Sequence, residues 1–284
     1  MSTGPEKDKS VNSVGILMVA TNNYIERWKD TALDLEGNAF KQVPEVVIHL
    51  YTNQEEEAVR FAELYLKRIK LVIHKIEGWG WPEATLFRYR FFVETETQLE
   101  QEFLLYLDSD MRVMGDVGEI VLSLREFDGI GVVSHPGFSR PKGIKKLRLY
   151  FTSPIFILRD IKISIQSSIN LGAWEKNACS TAYVKRKSRE SYVHGAIWFG
   201  YRDNLLEMCR TLSARIQIDL GCGLIAIWHD ESHLNWFIAR NAHKIFDNRL
   251  SWVGHYENLR NFKYSYLISN VQKDYGEGRA PSNV

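Results

Sequence analysis

The sequence predicts an α/β protein built on a mainly parallel sheet. Unbroken apolar runs recur along the first half, as in Val14–Ala20 and Phe103–Leu107. A run without polar alternation marks a strand covered on both faces. Helical stretches separate these runs, and strand–helix alternation at this spacing implies right-handed crossovers between parallel strands. The 284 residues are 45% hydrophobic and 25% charged, an ordinary globular composition that excludes a disordered, collagen-like or coiled-coil chain. A chain of this length buries a core without help from disulfides or metal.

The elements follow in order. Residues 1–12 are polar and read as a disordered leader, with no signal-peptide core. Val14–Ala20 is the first strand. A helix over Tyr24–Phe40 follows, with apolar residues at Trp28, Ala32, Leu33 and Leu35. Val46–Tyr51 is the second strand. The helix Glu55–Lys67 takes Val59, Leu64 and Leu66 as core positions, and Glu55-Glu56-Glu57 as a solvated start favoured by the helix dipole. Leu71–Ile76 is the third strand. The aromatic segment Trp79-Gly80-Trp81-Pro82 then leads into a helix over Glu83–Leu99, its tryptophans assigned to the core or a pocket wall. Phe103–Leu107 and Ile130–Val133 are the fourth and fifth strands. In the second half Tyr192–Phe199 is β, and helices lie near Arg202–Ser213 and Glu231–Arg240. No linker or repeat interrupts 13–284, which reads as one domain.

Charge and cysteine narrow the function. Lys plus Arg number 36 and Asp plus Glu 35, a net charge of +1, which argues against a polyanion binder working by bulk charge. A small anion held in a pocket remains compatible. Cys179, Cys209 and Cys222 show no CxxC spacing, so they form neither a disulfide framework nor a zinc site. No apolar run approaches the ~20 residues of a membrane span. The chain is therefore expected to be soluble as written, with any membrane tie made through an upstream anchor.

Two segments carry chemistry. The first is Leu107-Asp108-Ser109-Asp110, at the end of the fourth strand. Ligands of open α/β sheets bind beyond the carboxyl ends of the strands. Two carboxylates placed there repel unless a cation joins them, and hard oxygen donors suit Mn²⁺ or Mg²⁺ with phosphate oxygens completing the shell. The same pattern also reads as a surface turn with two solvated acids. The second segment is Trp228-His229-Asp230-Glu231-Ser232-His233-Leu234-Asn235. His229 and His233 are four apart, as in a zinc protease, but Asp230 stands where that motif needs Glu. A helix start capped by Asp230 explains part of the cluster. Adjacent acids at a pocket mouth also suit sugar chemistry, one gripping hydroxyls and the other facing an oxocarbenium ion.

These segments, with His135-Pro136-Gly137-Phe138 and Tyr192-Val193-His194-Gly195-Ala196-Ile197 between them, resemble glycosyltransferase family 6, which includes the ABO blood-group transferases, the α-1,3-galactosyltransferase and the Forssman synthase. The resemblance spans Val14 to Arg279. It implies a GT-A fold with a smaller C-terminal acceptor-binding part. It also implies Mn²⁺-dependent transfer of galactose or N-acetylgalactosamine from a UDP-sugar to a β-galactoside-type glycan, with an α-1,3 linkage and retention. Matched by position, Val19, Ala20, Thr21 and Tyr24 fall at uridine, and Arg88 near the donor. Asp108 and Asp110 match the metal and diphosphate ligands, with Ser109 between them. His135 and Trp228 match acceptor contacts, and Asp230 a donor-sugar contact. Glu231 matches the carboxylate that acts as nucleophile or stabilises the cation, beside the acceptor.

His194, Gly195 and Ala196 line the donor sugar. His194 with Ala196 resembles the galactose-using pattern, while Gly195 departs from its commonest form. Lys273, Tyr275 and Arg279 have the spacing of the C-terminal segment, 270–284, that closes over UDP, where cations neutralise the leaving group and ordering excludes water. Lys185-Arg186-Lys187 reads as a surface loop. Residues 139–172 exceed the family pattern and read as an insert, or as retained intronic sequence, on the acceptor side. Animal members of the family are Golgi membrane proteins. The rival reading is an inactive glycan- or UDP-binding homologue on the same fold.

Overall fold

The computed structural model describes residues 11–135 apart from Met114, residues 172–246 apart from Glu190, and positions 147, 150–151, 157–158, 161, 251–252 and 267–269. The expected insert 139–172 lies almost wholly outside the described residues. The closing segment 270–284, with Lys273, Tyr275 and Arg279, lies outside them entirely.

A seven-stranded sheet organises the chain. Its strands are β1 (Ser13–Val19), β2 (Glu45–Thr52), β3 (Lys70–Lys75), β4 (Phe103–Leu107), β6 (Ile130–Ser134), β7 (Val193–Tyr201) and β8 (His243–Phe246). The spatial order is β3-β2-β1-β4-β7-β6-β8. The β1–β2, β2–β3, β1–β4 and β6–β8 pairs are parallel, while β7 runs antiparallel to both β4 and β6. The predicted class and the mostly parallel sheet therefore hold. A small second sheet joins β5 (Met111–Val113), β9 (Ser251–Trp252) and β10 (Leu267–Ser269).

Reversal of β7 has a direct consequence for chemistry. Leu107 pairs with Ile197, and the Asp108 N–H donates to Ala196 O at 2.9 Å. The first residues of β7 thus lie beside the last residues of β4 and β1, on one edge of the sheet.

Both faces of the sheet are covered. Val14, Ile16 and Met18 pack with Ile25, Trp28, Ala32 and Leu35 of α1 (Tyr24–Asn38). Leu17, Leu104 and Tyr106, on the other face, pack with residues of α4 (Arg88–Glu94), α6 (Arg202–Gly221) and α7 (His229–Ile238). Alternate strand residues serve opposite faces, which is why the runs are apolar throughout.

Several boundaries differ from the sequence reading. Val11 is buried and Asn12 O accepts the Glu45 N–H, so both join the fold. Leu33 of α1 faces solvent. On α2 (Glu55–Tyr65) Val59 and Leu64 are exposed, and the core is met by Ala58 and Phe61, with Leu66 buried just past the end. A spacing of three keeps Ala58 and Phe61 on one face, whereas Val59 and Leu64, five apart, diverge. The predicted helix 83–99 is broken into α3 (Glu83–Leu86), α4 and a 3₁₀ turn at Glu96–Gln98. Thr95 Oγ1 donates to Phe91 O at 2.9 Å where α4 stops, a local bond that competes with helix continuation. Helix α6 runs on to Gly221 because its last turns are anchored: Arg215 O accepts from Thr181 Oγ1 at 3.0 Å, and Asp219 from Ser180 Oγ at 2.6 Å. The short α5 (Val117–Val121) completes the helices used here.

Candidate active site

The edge made by the ends of β1 and β4, the start of β7 and the first turn of α7 gathers most of the expected site. Arg88, the first residue of α4, is its centre. Its guanidinium is buried, with Nη1 3.1 Å from Asp108 Oδ1 and Nη2 donating to Gly195 O at 3.0 Å. The same Nη2 is ion-paired to Asp230 Oδ2. One cation thereby ties the acidic tip of β4 to the acidic start of α7. The Tyr106 ring lies 4.3 Å beneath the guanidinium, and its hydroxyl donates to Asp108 Oδ1 at 2.6 Å.

Asp110 is buried, which removes the reading of a solvated turn. Its Oδ2 lies 3.8 Å from Arg27 Nη1 of α1. The turn is held from below by Thr31, whose Oγ1 is 2.8 Å from Ser109 O and 2.6 Å from Met111 O. Asp108 and Asp110 are two hard oxygen donors on one rigid turn. No group of three His, Cys, Asp or Glu side chains able to hold a metal occurs among the described residues. The pair fits a Mn²⁺ or Mg²⁺ ion that keeps most of its shell for diphosphate oxygens and water, and it does not fit a closed structural site.

Glu231 sits one residue beyond Asp230. Its Oε2 accepts the Gly195 N–H at 2.8 Å. Burial pushes its carboxyl up to about 7, while the Gly195 N–H and the Tyr192 hydroxyl hold it down. At neutral pH this group is poised between its two protonation states. An added Cβ on Gly195 would stand 3.1 Å from Glu231 Oε2 and 3.3 Å from Arg88 Nη2, so glycine here lets α7 approach β7.

Asp230 does not cap α7. The Trp228 N–H reaches Ser232 Oγ at 3.1 Å, and the Asp230 carboxylate serves Arg88 instead. The two histidines of the segment diverge: His229 meets the Trp81 ring edge at 4.7 Å, and His233 is buried 3.6 Å from Asp219. Asn235 clamps the arrangement, accepting the Val193 N–H at 2.8 Å and donating to Val193 O at 3.0 Å and Glu231 O at 2.9 Å.

The remaining expected residues surround this centre. Val19 ends β1 and Ala20 follows it, and Thr21 Oγ1 donates to Trp79 O at 2.6 Å. Tyr24 is exposed, its ring 5.1 Å from the Arg27 guanidinium carbon. His194 and Ala196 are buried at the start of β7, and the His135 ring lies 5.3 Å from that of His194. Trp228 is exposed at the mouth. Trp79 packs on Phe87 at 5.3 Å, whereas Trp81 stands exposed at the rim. Sequence reasoning passed over Arg27 and Thr31, and it quoted Tyr106, Tyr192 and Asn235 within their motifs without giving them a role. Tyr106 was findable, since it lies two residues before Asp108 and so shares its face.

Residues 165–280 match the profile of glycosyltransferase family 6. The chain is 24% identical over 264 residues to the O-antigen biosynthesis glycosyltransferase WbnI of Escherichia coli, covering 93% of this chain and 97% of that one. It is 24% identical over 230 residues to the histo-blood group ABO system transferase 1 of Rattus norvegicus, covering 80% of this chain and 56% of the relative. A stretch of 80 residues is 31% identical to the human globoside alpha-1,3-N-acetylgalactosaminyltransferase 1, covering 28% and 23% of the two chains. The chain thus spans nearly all of the bacterial relative and little more than half of the rat one. Its α/β architecture with a mostly parallel seven-stranded sheet accords with the GT-A fold of the family.

Proposed function

We propose, from the match of residues 165–280 to glycosyltransferase family 6 and the 24% identity over 93% of this chain to a bacterial O-antigen glycosyltransferase, that it is a retaining α-1,3-glycosyltransferase moving galactose or N-acetylgalactosamine from a UDP-sugar to a β-galactoside-type acceptor. The observation that carries this reading is the Arg88 bridge. It brings Asp108 and Asp230, from two motifs far apart in sequence, against one guanidinium. Buried, mutually dependent charge of this kind is costly to keep, and a site that binds a charged ligand gives it a use.

Asp108 and Asp110 would hold the divalent cation, which supplies positive charge against the departing diphosphate. Val19, Ala20, Thr21 and Tyr24 border the uridine side. Arg88 fixes Asp230 to grip the donor sugar and adds its own charge near the diphosphate. Glu231, ionised and shielded from water, faces the cationic anomeric carbon as nucleophile or electrostatic partner. His194, Gly195 and Ala196 set the room around the sugar's second carbon, and the His194–Ala196 pair favours galactose. His135 and Trp228 border the acceptor, and Lys273, Tyr275 and Arg279 would close over UDP.

The test is UDP release from UDP-galactose and from UDP-N-acetylgalactosamine, with Mn²⁺ or with EDTA, over a panel of β-galactosides. Turnover should vanish in EDTA, return with Mn²⁺, and fall by a factor on the order of 10²–10³ in Asp110→Asn. Calorimetric binding of UDP without any turnover would replace this reading with the inactive binding homologue.

A further inference from the structure

We propose that the face formed by residues 173–189, the C-terminal end of α6 and the 222–228 loop docks on an anionic lipid bilayer. Hydrogen bonds make these segments one surface. The Ile227 N–H donates to Glu175 Oε2 at 2.6 Å, the Thr181 N–H to Asp219 Oδ1 at 2.7 Å, and Arg215 Nη2 to Thr181 O.

Its charge is one-sided. Lys176, Lys185, Arg186 and Lys187 are exposed, and Arg189 and Arg215 are partly so. The two acids described in these segments point inward. Glu175 is 6% exposed and Asp219 2%, and both accept backbone N–H groups. Glu190 is the one further acid at the edge of this sequence.

The same hydrogen-bonded segments also expose apolar side chains. Ile218 is 56% exposed, Ile225 55%, Ile227 42% and Trp228 41%. Large aliphatic side chains and a tryptophan on one face with Lys and Arg make an interfacial surface, the apolar side chains entering the headgroup–acyl boundary and the cations meeting anionic headgroups. A nucleic acid would leave the isoleucines without partners, and protein interface cores are depleted in lysine. The two features together select a bilayer. Trp228 immediately precedes α7, so docking holds the site mouth at the membrane surface, where a lipid-linked acceptor would present its sugar.

The test is flotation of the full chain with phosphatidylglycerol-containing vesicles and with phosphatidylcholine vesicles. The protein should float with the former only, and detach as salt is raised. Lys185→Glu with Arg186→Glu and Lys187→Glu should lower the partition by a factor on the order of 100. Ile218→Ser with Ile225→Ser should lower it about tenfold. Both variants should keep the circular dichroism spectrum of the parent. Equal flotation of the parent and the triple charge variant overturns the proposal, as does absence of flotation with either vesicle. Insensitivity to the isoleucine changes, with capture by dextran sulfate in solution, would reassign the face to a soluble polyanion. Vesicle partition does not depend on turnover, so this outcome is separate from the fate of the transferase reading.

Discussion

Glu231 pits function against stability within one side chain. Its folded pKa of about 7 lies above the ordinary carboxyl value of 4.5 because burial disfavours the charge. The folded state therefore holds this proton longer than the unfolded chain. The stability it lends is full below pH 4.5 and declines as the pH rises to about 7, where the ionised group must be tolerated. Glu231→Gln keeps an acceptor for the Gly195 N–H and removes that burden. Its melting point should match the parent near pH 4.5 and exceed it at pH 8 by the equivalent of about 3 kcal/mol. Its turnover should nonetheless fall at least about 100-fold, and parental turnover should decline below about pH 7 as the carboxylate is protonated. Arg88 is the opposite case. Arg88→Lys cannot reach Asp108, Asp230 and Gly195 O from one planar fork, so it leaves buried acids unpaired and should cost about 3 kcal/mol or more by thermal denaturation. Asp108 and Asp110 were legible in the sequence from their place after a strand, and Asp230 and Glu231 from the density of functional side chains in their segment. The Arg27–Asp110 and Tyr192–Glu231 contacts were not, because only packing brings α1 to Asp110 and the residue before β7 to Glu231.

At the scale of elements, the site depends on how α7 is pinned to β7. Asn235 makes that joint with three hydrogen bonds, and Gly195 lets the two approach. Asn235→Ala strips Val193 of both partners and frees the helix turn bearing Glu231. It should lower the melting point by several degrees and cut turnover at least about tenfold, since small displacements of reacting groups are costly. Gly195→Ala should cut turnover while leaving UDP binding within about threefold, because its Cβ presses on Glu231 and Arg88 by only a few tenths of an ångström. Strand β4 was readable to the residue, Phe103–Leu107, because both faces are buried and every position is apolar. The break at Phe87 was not readable, since Glu83–Leu99 carries no proline or glycine to announce it. Nor was the full length of α6, which rests on the tertiary anchors of Arg215 and Asp219 and not on local propensity.

Across the whole molecule, the buried histidines make the fold acid-sensitive. Burial lowers the pKa of His74, His135 and His233 to about 4 and also lowers those of His49 and His229, from an ordinary 6.5. Each is neutral when folded and takes up a proton more readily when unfolded. The stability this confers is present above pH 6.5 and is lost as the pH falls toward 4. At pH 5 His135 and His233 withdraw about 2 kcal/mol each, and the less enclosed His74 withdraws less, a loss comparable with much of the stability of many proteins. Protonation of Glu231 returns about 2 kcal/mol over the same range, so the melting point should fall by a net of on the order of 5–10 °C between pH 7.5 and pH 5. His49 and His74 lie on neighbouring strands, joined at 3.0 Å, with Gln101 2.6 Å beyond, so this sensitivity reaches the sheet itself. His74→Gln keeps a partner for His49 Nδ1 and removes one titrating site. Between pH 5 and 6 the slope of unfolding free energy against pH should drop by up to about 1.2 kcal/mol per pH unit in this variant. An unchanged slope would show that His74 carries no part of the acid response and would shift it to the other histidines.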